Sequence, residues 1–232
     1  MAKDNNSKIV VLISADAEWH IIRGIFANAE YQTSPLGEWF IVDLQVGSHL
    51  EPVVFFHGGC GKIAAAASTQ YVIDKWSPSL LVNLGTCGGI EGEVEVGTII
   101  LVEKTIVYDI IDEMKVSTAG ITHYTTELDL SWLSEPYPST VRRAAMVSAD
   151  RDLMVSDIPV LRAKYGAIAA DWESGAIAYV ASKNGTRCLI LRGVSDLVGW
   201  SGGEVYGNQD LFEDRVEMIM HKLIDTLPDW IL

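Results

Sequence analysis

Four stretches of this chain carry side chains able to do chemistry: Glu18; Thr86; Asp171 with Glu173; and Arg192, Ser195 and Asp196. Carboxylates hold or pass on protons, while an arginine and hydroxyls among them can orient a small polar ligand. Each stretch adjoins an apolar run, residues 8–13, 79–84, 167–170 and 187–191. Such runs read as strands buried on both faces. Ligands of open α/β sheets sit beyond the carboxyl ends of their strands, so the set is expected to converge. Taken singly, each carboxylate or hydroxyl would serve equally well as a helix cap or a surface charge. Capping gives no reason for Arg192 near the end of an apolar strand.

The elements that must position these residues follow from periodicity. Further strands are expected at 40–46, 52–56, 98–107 and 144–148, with a turn near Gly47. Helical spacing predicts helices at 17–29, 63–75, 158–165, 173–183 and 211–227. Residues 57–62 and 85–89 are Gly-rich and read as loops, and 108–142, with Pro136 and Pro138, reads as an irregular excursion near the site. Strands alternating with helices imply a three-layer αβα sandwich around a mixed, largely parallel sheet. A single domain over residues 1–232 is expected, with 1–7 a flexible N-terminus.

The chain has 232 residues, 49% hydrophobic and 21% charged, within the globular range. Acidic residues outnumber basic ones 31 to 17, giving a net charge of −14. That field repels polyanions, so nucleic acid and anionic membrane surfaces are not expected partners. The polar start MAKDNNSK lacks a signal-peptide core, and no apolar run approaches the ~20 residues needed to span a bilayer. Cys60, Cys87 and Cys188 form neither a disulfide framework nor a metal motif. The expectation is a soluble, cytoplasmic protein without metal or cofactor.

Gly59-Cys60-Gly61-Lys62-Ile63-Ala64 fits the loose GxGxxA form of a dinucleotide fingerprint, but Asn83 and Leu84 stand where its ribose-binding acid belongs. A Walker A motif fails because Phe56 occupies the first glycine position and Ile63 follows Lys62. These glycines therefore read as tight turns. The loop at 85–89 can present backbone N–H groups and the Thr86 hydroxyl to a small polar ligand. His20, His57 and His123 lack partner patterns for catalysis or metal binding. Arg142, Arg143 and Arg151 could form a local anion site, although scattered arginines on an acidic chain are more often solvated or ion-paired.

Taken in order, Ile13-Ser14-Ala15 with Glu18, Gly59-Cys60-Gly61-Lys62, Asn83-Leu84-Gly85-Thr86-Cys87-Gly88-Gly89, Asp171-Trp172-Glu173-Ser174 and Arg192-Gly193-Val194-Ser195-Asp196 resemble the nucleoside phosphorylase/hydrolase superfamily. They are most similar to its 5′-methylthioadenosine/S-adenosylhomocysteine nucleosidase branch. The resemblance implies hydrolysis of the N-glycosidic bond of a purine nucleoside, a 5′-modified adenosine as first guess, within methionine salvage. Asp196 would protonate the leaving base at N7, Glu18 would activate water and Glu173 would bind the ribose hydroxyls. Arg192 and Thr86 would help place the water, and Ser195, Leu153, Asp152 and Trp172 would complete the binding site. It also implies a homodimer. Such chemistry passes through an oxocarbenium-like state, which an acid at the base and carboxylates near the sugar would stabilise.

Phosphorolysis by the same fold is the nearest alternative, and a non-catalytic nucleoside-binding protein is another. The arginines that hold phosphate in the superfamily's phosphorylases are replaced here by Ser14-Ala15-Asp16 and Asn83-Leu84, and the added carboxylates would repel a phosphate dianion. Asp152 replaces the aromatic residue usual beside the purine, and Trp172 replaces a smaller Met. Trp200, Tyr206 and Phe212 are the candidates to supply the missing ring, or else belong to the core.

Overall fold

The computed structural model describes residues 8–111, 114 and 119–232. Residues 1–7, expected as a flexible N-terminus, lie outside the described residues, as do 112–113 and 115–118 of the irregular excursion. β1 (Ile9–Ile13) is buried at every position, as an uninterrupted run of Ile, Val and Leu demands. It lies parallel to both β4 (His49–His57) and β5 (Leu80–Ile90). β5 runs parallel to β10 (Arg187–Gly199), which is antiparallel to β6 (Ile99–Val107). β6 pairs in parallel with β8 (Val141–Ser148), β8 with β9 (Ala169–Asp171), and β9 returns antiparallel to β5. These pairings close one half of the mixed sheet on itself. β4, β3 (Gly37–Val46) and β2 (Gln32–Ser34) extend the other half as an antiparallel meander around the turn at Gly47.

Helices cover both faces, giving the expected αβα layering. α1 (Asp16–Ile25) packs with α6 (Gln209–Trp230) on one face, and α2 (Lys62–Trp76) with α5 (Ser174–Lys183) on the other. In α6, Val216, Ile219, Met220, Leu223, Ile224, Leu227 and Trp230 recur at three- and four-residue spacing and are all buried. Each contributes about 1.5–3 kcal/mol against the sheet. Asn208 starts the helix by accepting the Leu211 N–H at 3.3 Å. α4 (Ile158–Tyr165) has the bounds that periodicity predicts and ends on Gly166 in the left-handed region. Among the described residues, no helix is long and apolar enough to cross a membrane.

Two expectations fail in a way that shapes the site. The Gly-rich stretch 85–89 is strand, because β5 continues to Ile90, and β10 continues to Gly199 instead of ending near Gly193. Thr86, Ser195 and Asp196 therefore lie within strands, not beyond them. The two strands pair in parallel from Arg187 opposite Leu80 to Val198 opposite Ile90, with a register shift between Val194 and Asp196. Glycine marks close approach there: a Cβ on Gly85 would lie 2.3 Å from Arg192 Nη1 and 2.7 Å from Glu18 Oε1. Helix α1 also stops at Ile25, earlier than expected. The short elements β2, α3 (Ala119–His123), β7 (Thr126–Glu127) and β11 (Gly202–Gly203) leave no periodic signal in the sequence.

Candidate active site

The prolonged ends of β5 and β10 and the N-termini of α1 and α5 border a cavity of about 520 Å³. Glu18, Thr86, Asp152, Leu153, Asp171, Trp172, Glu173, Ser195 and Asp196 line it. Arg192 is the exception. It lies behind the cavity wall with 1% exposure.

Glu18 is a helix cap and a site residue at once. Its Oε2 accepts the Ala15 N–H at 3.3 Å, while Oε1 accepts from the Thr86 N–H at 2.6 Å and the Thr86 hydroxyl at 2.9 Å. Asp171 has the same double duty. It accepts the Ser174 N–H at the start of α5, the Ser148 hydroxyl at 2.6 Å and the Ser174 hydroxyl. It also pairs with Arg192 Nε at 3.0 Å.

Arg192 is bonded to the protein through each of its three side-chain nitrogens. Nε donates to Ser174 Oγ at 3.1 Å, Nη1 to the Thr86 carbonyl at 3.3 Å and Nη2 to Asn83 Oδ1 at 2.9 Å. Burial disfavours its charge, but Asp171, Glu173 and Glu18 outweigh that and hold its pKa above the usual value. Glu173 Oε1 accepts the Gly61 N–H at 2.9 Å and the Cys60 thiol at 3.4 Å, and Oε2 lies 3.5 Å from Arg192 Nη2. Burial raises the Glu173 carboxyl to about 7, against the opposing pull of Arg192. Burial, with Glu173 beside it, also pushes the Cys60 thiol up to about 12.

Asp196 stands opposite, where a β-bulge falls between Val194 and Asp196. Consecutive strand residues normally face opposite sides, yet Ser195 and Asp196 both line the cavity, which the bulge allows. Burial raises the Asp196 pKa, partly offset by the Ser195 hydroxyl 2.8 Å from Oδ1. That hydroxyl has one proton and a second acceptor, the Cys87 carbonyl at 3.3 Å. A protonated Asp196 can thus donate to Ser195 while Ser195 donates to Cys87.

Tyr206 and Phe212 line the cavity, and the Tyr206 hydroxyl donates to the Leu153 carbonyl at 3.1 Å. Trp200 is 89% exposed and belongs to neither cavity nor core. Arg151 also lines the cavity, paired to Asp157 at 2.6 Å, and Arg143 pairs with Glu103. The His57 ring stacks on Trp19, and His123 meets the Tyr179 hydroxyl. Cys87 is buried, as a small apolar residue would be. Among the described residues no group of His, Cys, Asp or Glu is arranged to hold a metal.

The family model of the phosphorylase superfamily matches residues 8–227. The chain belongs to that superfamily. A 5′-methylthioadenosine/S-adenosylhomocysteine nucleosidase of Marinomonas sp. is 22% identical over 216 residues, spanning 82% of this chain and 87% of the relative. The nucleosidase of that name from Neisseria meningitidis, in complex with methylthio-immucillin-A, superposes with a TM-score of 0.74 at 18% identity. That match covers 97% of this chain and 98% of the other. A futalosine hydrolase mutant of Helicobacter pylori superposes with a TM-score of 0.71 at 14% identity, covering 96% and 99%. Such similarities establish the superfamily's fold for this chain.

Sequence reasoning left out of the site Cys60, Arg151 and the anchoring of Arg192 by Asn83. Cys60 stands inside the Gly59–Lys62 motif and Arg151 stands beside Asp152, which was a usable signal. The Asn83–Arg192 bond joins residues 109 positions apart and left none.

Proposed function

We propose that this chain hydrolyses the N-glycosidic bond of a purine nucleoside, releasing free base and the ribose moiety. Water attacks C1′ as the C1′–N9 bond breaks. Glu18 takes the water's proton and Asp196 delivers its own to N7 of the departing base. Glu173 accepts from the ribose hydroxyls, and the carboxylates stabilise the positive charge that develops on the sugar. Burial raises the Asp196 pKa, which suits it to the donor role, while the Ser195 hydroxyl 2.8 Å from Oδ1 fixes the carboxyl in place.

One observation carries hydrolysis over phosphorolysis: the groups that could bind an anion are already taken by carboxylates. Glu18 holds the Thr86 N–H, Glu173 the Gly61 N–H and Asp150 the Lys62 N–H at 2.7 Å. Arg192 lies behind the cavity wall, its guanidinium held by Asn83, Thr86, Ser174 and Asp171. A phosphate dianion would meet Glu18, Asp171, Glu173 and Asp196, and the arginine that lines the cavity, Arg151, is already paired to Asp157.

The relatives' names point to 5′-modified adenosines such as 5′-methylthioadenosine and S-adenosylhomocysteine as substrates, and hence to methionine salvage. We read the chain as one domain that pairs into a homodimer. The exposed Ile63 and Ile111, beside the Lys62–Asp109 ion pair near the cavity, are the apolar surface a second copy would cover. The test is base release by chromatography from methylthioadenosine, adenosylhomocysteine, adenosine and inosine, with and without phosphate. Phosphate-independent adenine release is expected. Release that requires phosphate, or none from any nucleoside, would overturn the reading.

A further inference from the structure

Asn83 has no solvent exposure, is the fourth residue of β5 and does not line the cavity. Its Nδ2 donates to the Leu12 carbonyl at 3.1 Å, which fixes the amide so that Oδ1 faces Arg192 Nη2 at 2.9 Å. The same Nη2 lies 3.5 Å from Glu173 Oε2, close enough for attraction but outside good hydrogen-bond range. The guanidinium is thus pinned at each nitrogen: Nη2 by Asn83, Nη1 by the Thr86 carbonyl, and Nε by Ser174 and Asp171. The charged partner stands off while a neutral amide holds the bond. A free arginine would choose the carboxylate, since charge-assisted bonds are roughly twice as strong as neutral ones.

We propose that Asn83 is a positioning residue: it anchors Arg192 short of Glu173, so that Glu173 Oε2 stays a free acceptor for a substrate hydroxyl. The proposal rests on the reading of Glu173 as the ribose acceptor. The groups facing Glu173 are Arg192 from β10, Asp171 from β9, Glu18 from α1, and the Cys60 thiol and Gly61 N–H from the turn before α2. Arg192 is the sole cation among these five. Without Asn83 Oδ1, Nη2 closes on Glu173 Oε2. The substrate must then displace a buried ion pair, and the carboxylate form of Glu173 becomes easier to reach.

The test uses Asn83→Leu and Asn83→Ser. The serine hydroxyl is one bond too short to reach Arg192 yet keeps a small polar group at the site, which covers the case in which leucine prevents folding. In the ligand-free protein, Glu173→Gln is expected to raise the melting temperature at pH 8.5, because it removes a buried charge. That gain should roughly halve in either Asn83 background, where the closed ion pair already stabilises the carboxylate. In parallel, KM for base release should rise about tenfold with kcat much less affected, as expected when a ground-state contact is lost. A gain of unchanged size in both backgrounds overturns the proposal, whether or not nucleosides are cleaved. So does a loss confined to kcat. A halved gain in the Asn83 variants, with no base released by the wild-type protein, keeps the anchoring role and removes the nucleosidase reading instead.

Discussion

Burial of Glu173 sets a stability cost that a single isosteric substitution should remove. Folding raises its pKa from 4.5 to about 7, chiefly by desolvation. Between those values the folded protein holds more proton than the unfolded chain, so stability falls as pH rises through the interval. The penalty is absent below 4.5 and complete above 7. At about 1.4 kcal/mol for each pH unit crossed, it reaches roughly 3 kcal/mol. Asp171 and Glu18 share Arg192 with Glu173, so part of that cost belongs to the group, and about 1–3 kcal/mol is expected from Glu173 itself. For a chain of this size that is a shift in melting temperature of about 3–10 °C. Glu173→Gln keeps an oxygen for the Gly61 N–H and is neutral at every pH. Thermal unfolding of both proteins, followed by circular dichroism, should give equal midpoints at pH 4.5 and a higher midpoint for E173Q at pH 8.5. Titrations of groups outside this cluster are common to the two proteins and cancel. A difference that does not vary with pH, or one favouring wild type at pH 8.5, would refute the burial argument.

Three further outcomes follow from the same geometry. Asp196→Asn should lower kcat for base release about 10²–10⁴-fold, the usual worth of a general acid, while the nucleoside dissociation constant from calorimetry stays within a few-fold of wild type. Because ribose hydroxyls donate to the carboxylate form of Glu173, nucleoside binding at pH 6 should release a proton and weaken as pH falls below about 7; calorimetry in buffers of different ionisation enthalpy reads that proton directly, and E173Q should abolish it. Gly85→Ala should cut turnover by about 10²-fold without unfolding the chain, since the added Cβ must displace Arg192 Nη1 and the Glu18 carboxylate; circular dichroism and base release together check this.

Much of this molecule was legible in its sequence because strands and helices are written locally. The run at 8–13 announces β1, the spacing in 211–227 announces most of α6, and residues 158–165 give α4 to the residue. The types and order of Glu18, Thr86, Glu173 and Asp196 also set the chemistry available, and the excess of carboxylates already argued against a phosphate site. What tertiary structure decided is the partner of each group. The bond from Thr86 to Glu18 spans 68 positions and that from Arg192 to Asn83 spans 109, distances over which no periodicity carries information. Partnership in turn sets protonation: Glu173 and Asp196 depart from ordinary carboxylates because of burial, which depends on everything packed around them. The glycines at 85–89 misled for the same reason. In isolation a glycine run signals a turn, whereas here it is strand whose missing side chains leave room for Arg192, Glu18, Val94 and Val194. Composition fixes which side chains are present, and only the packed fold fixes which of them face a substrate and which, like Arg192, face the protein.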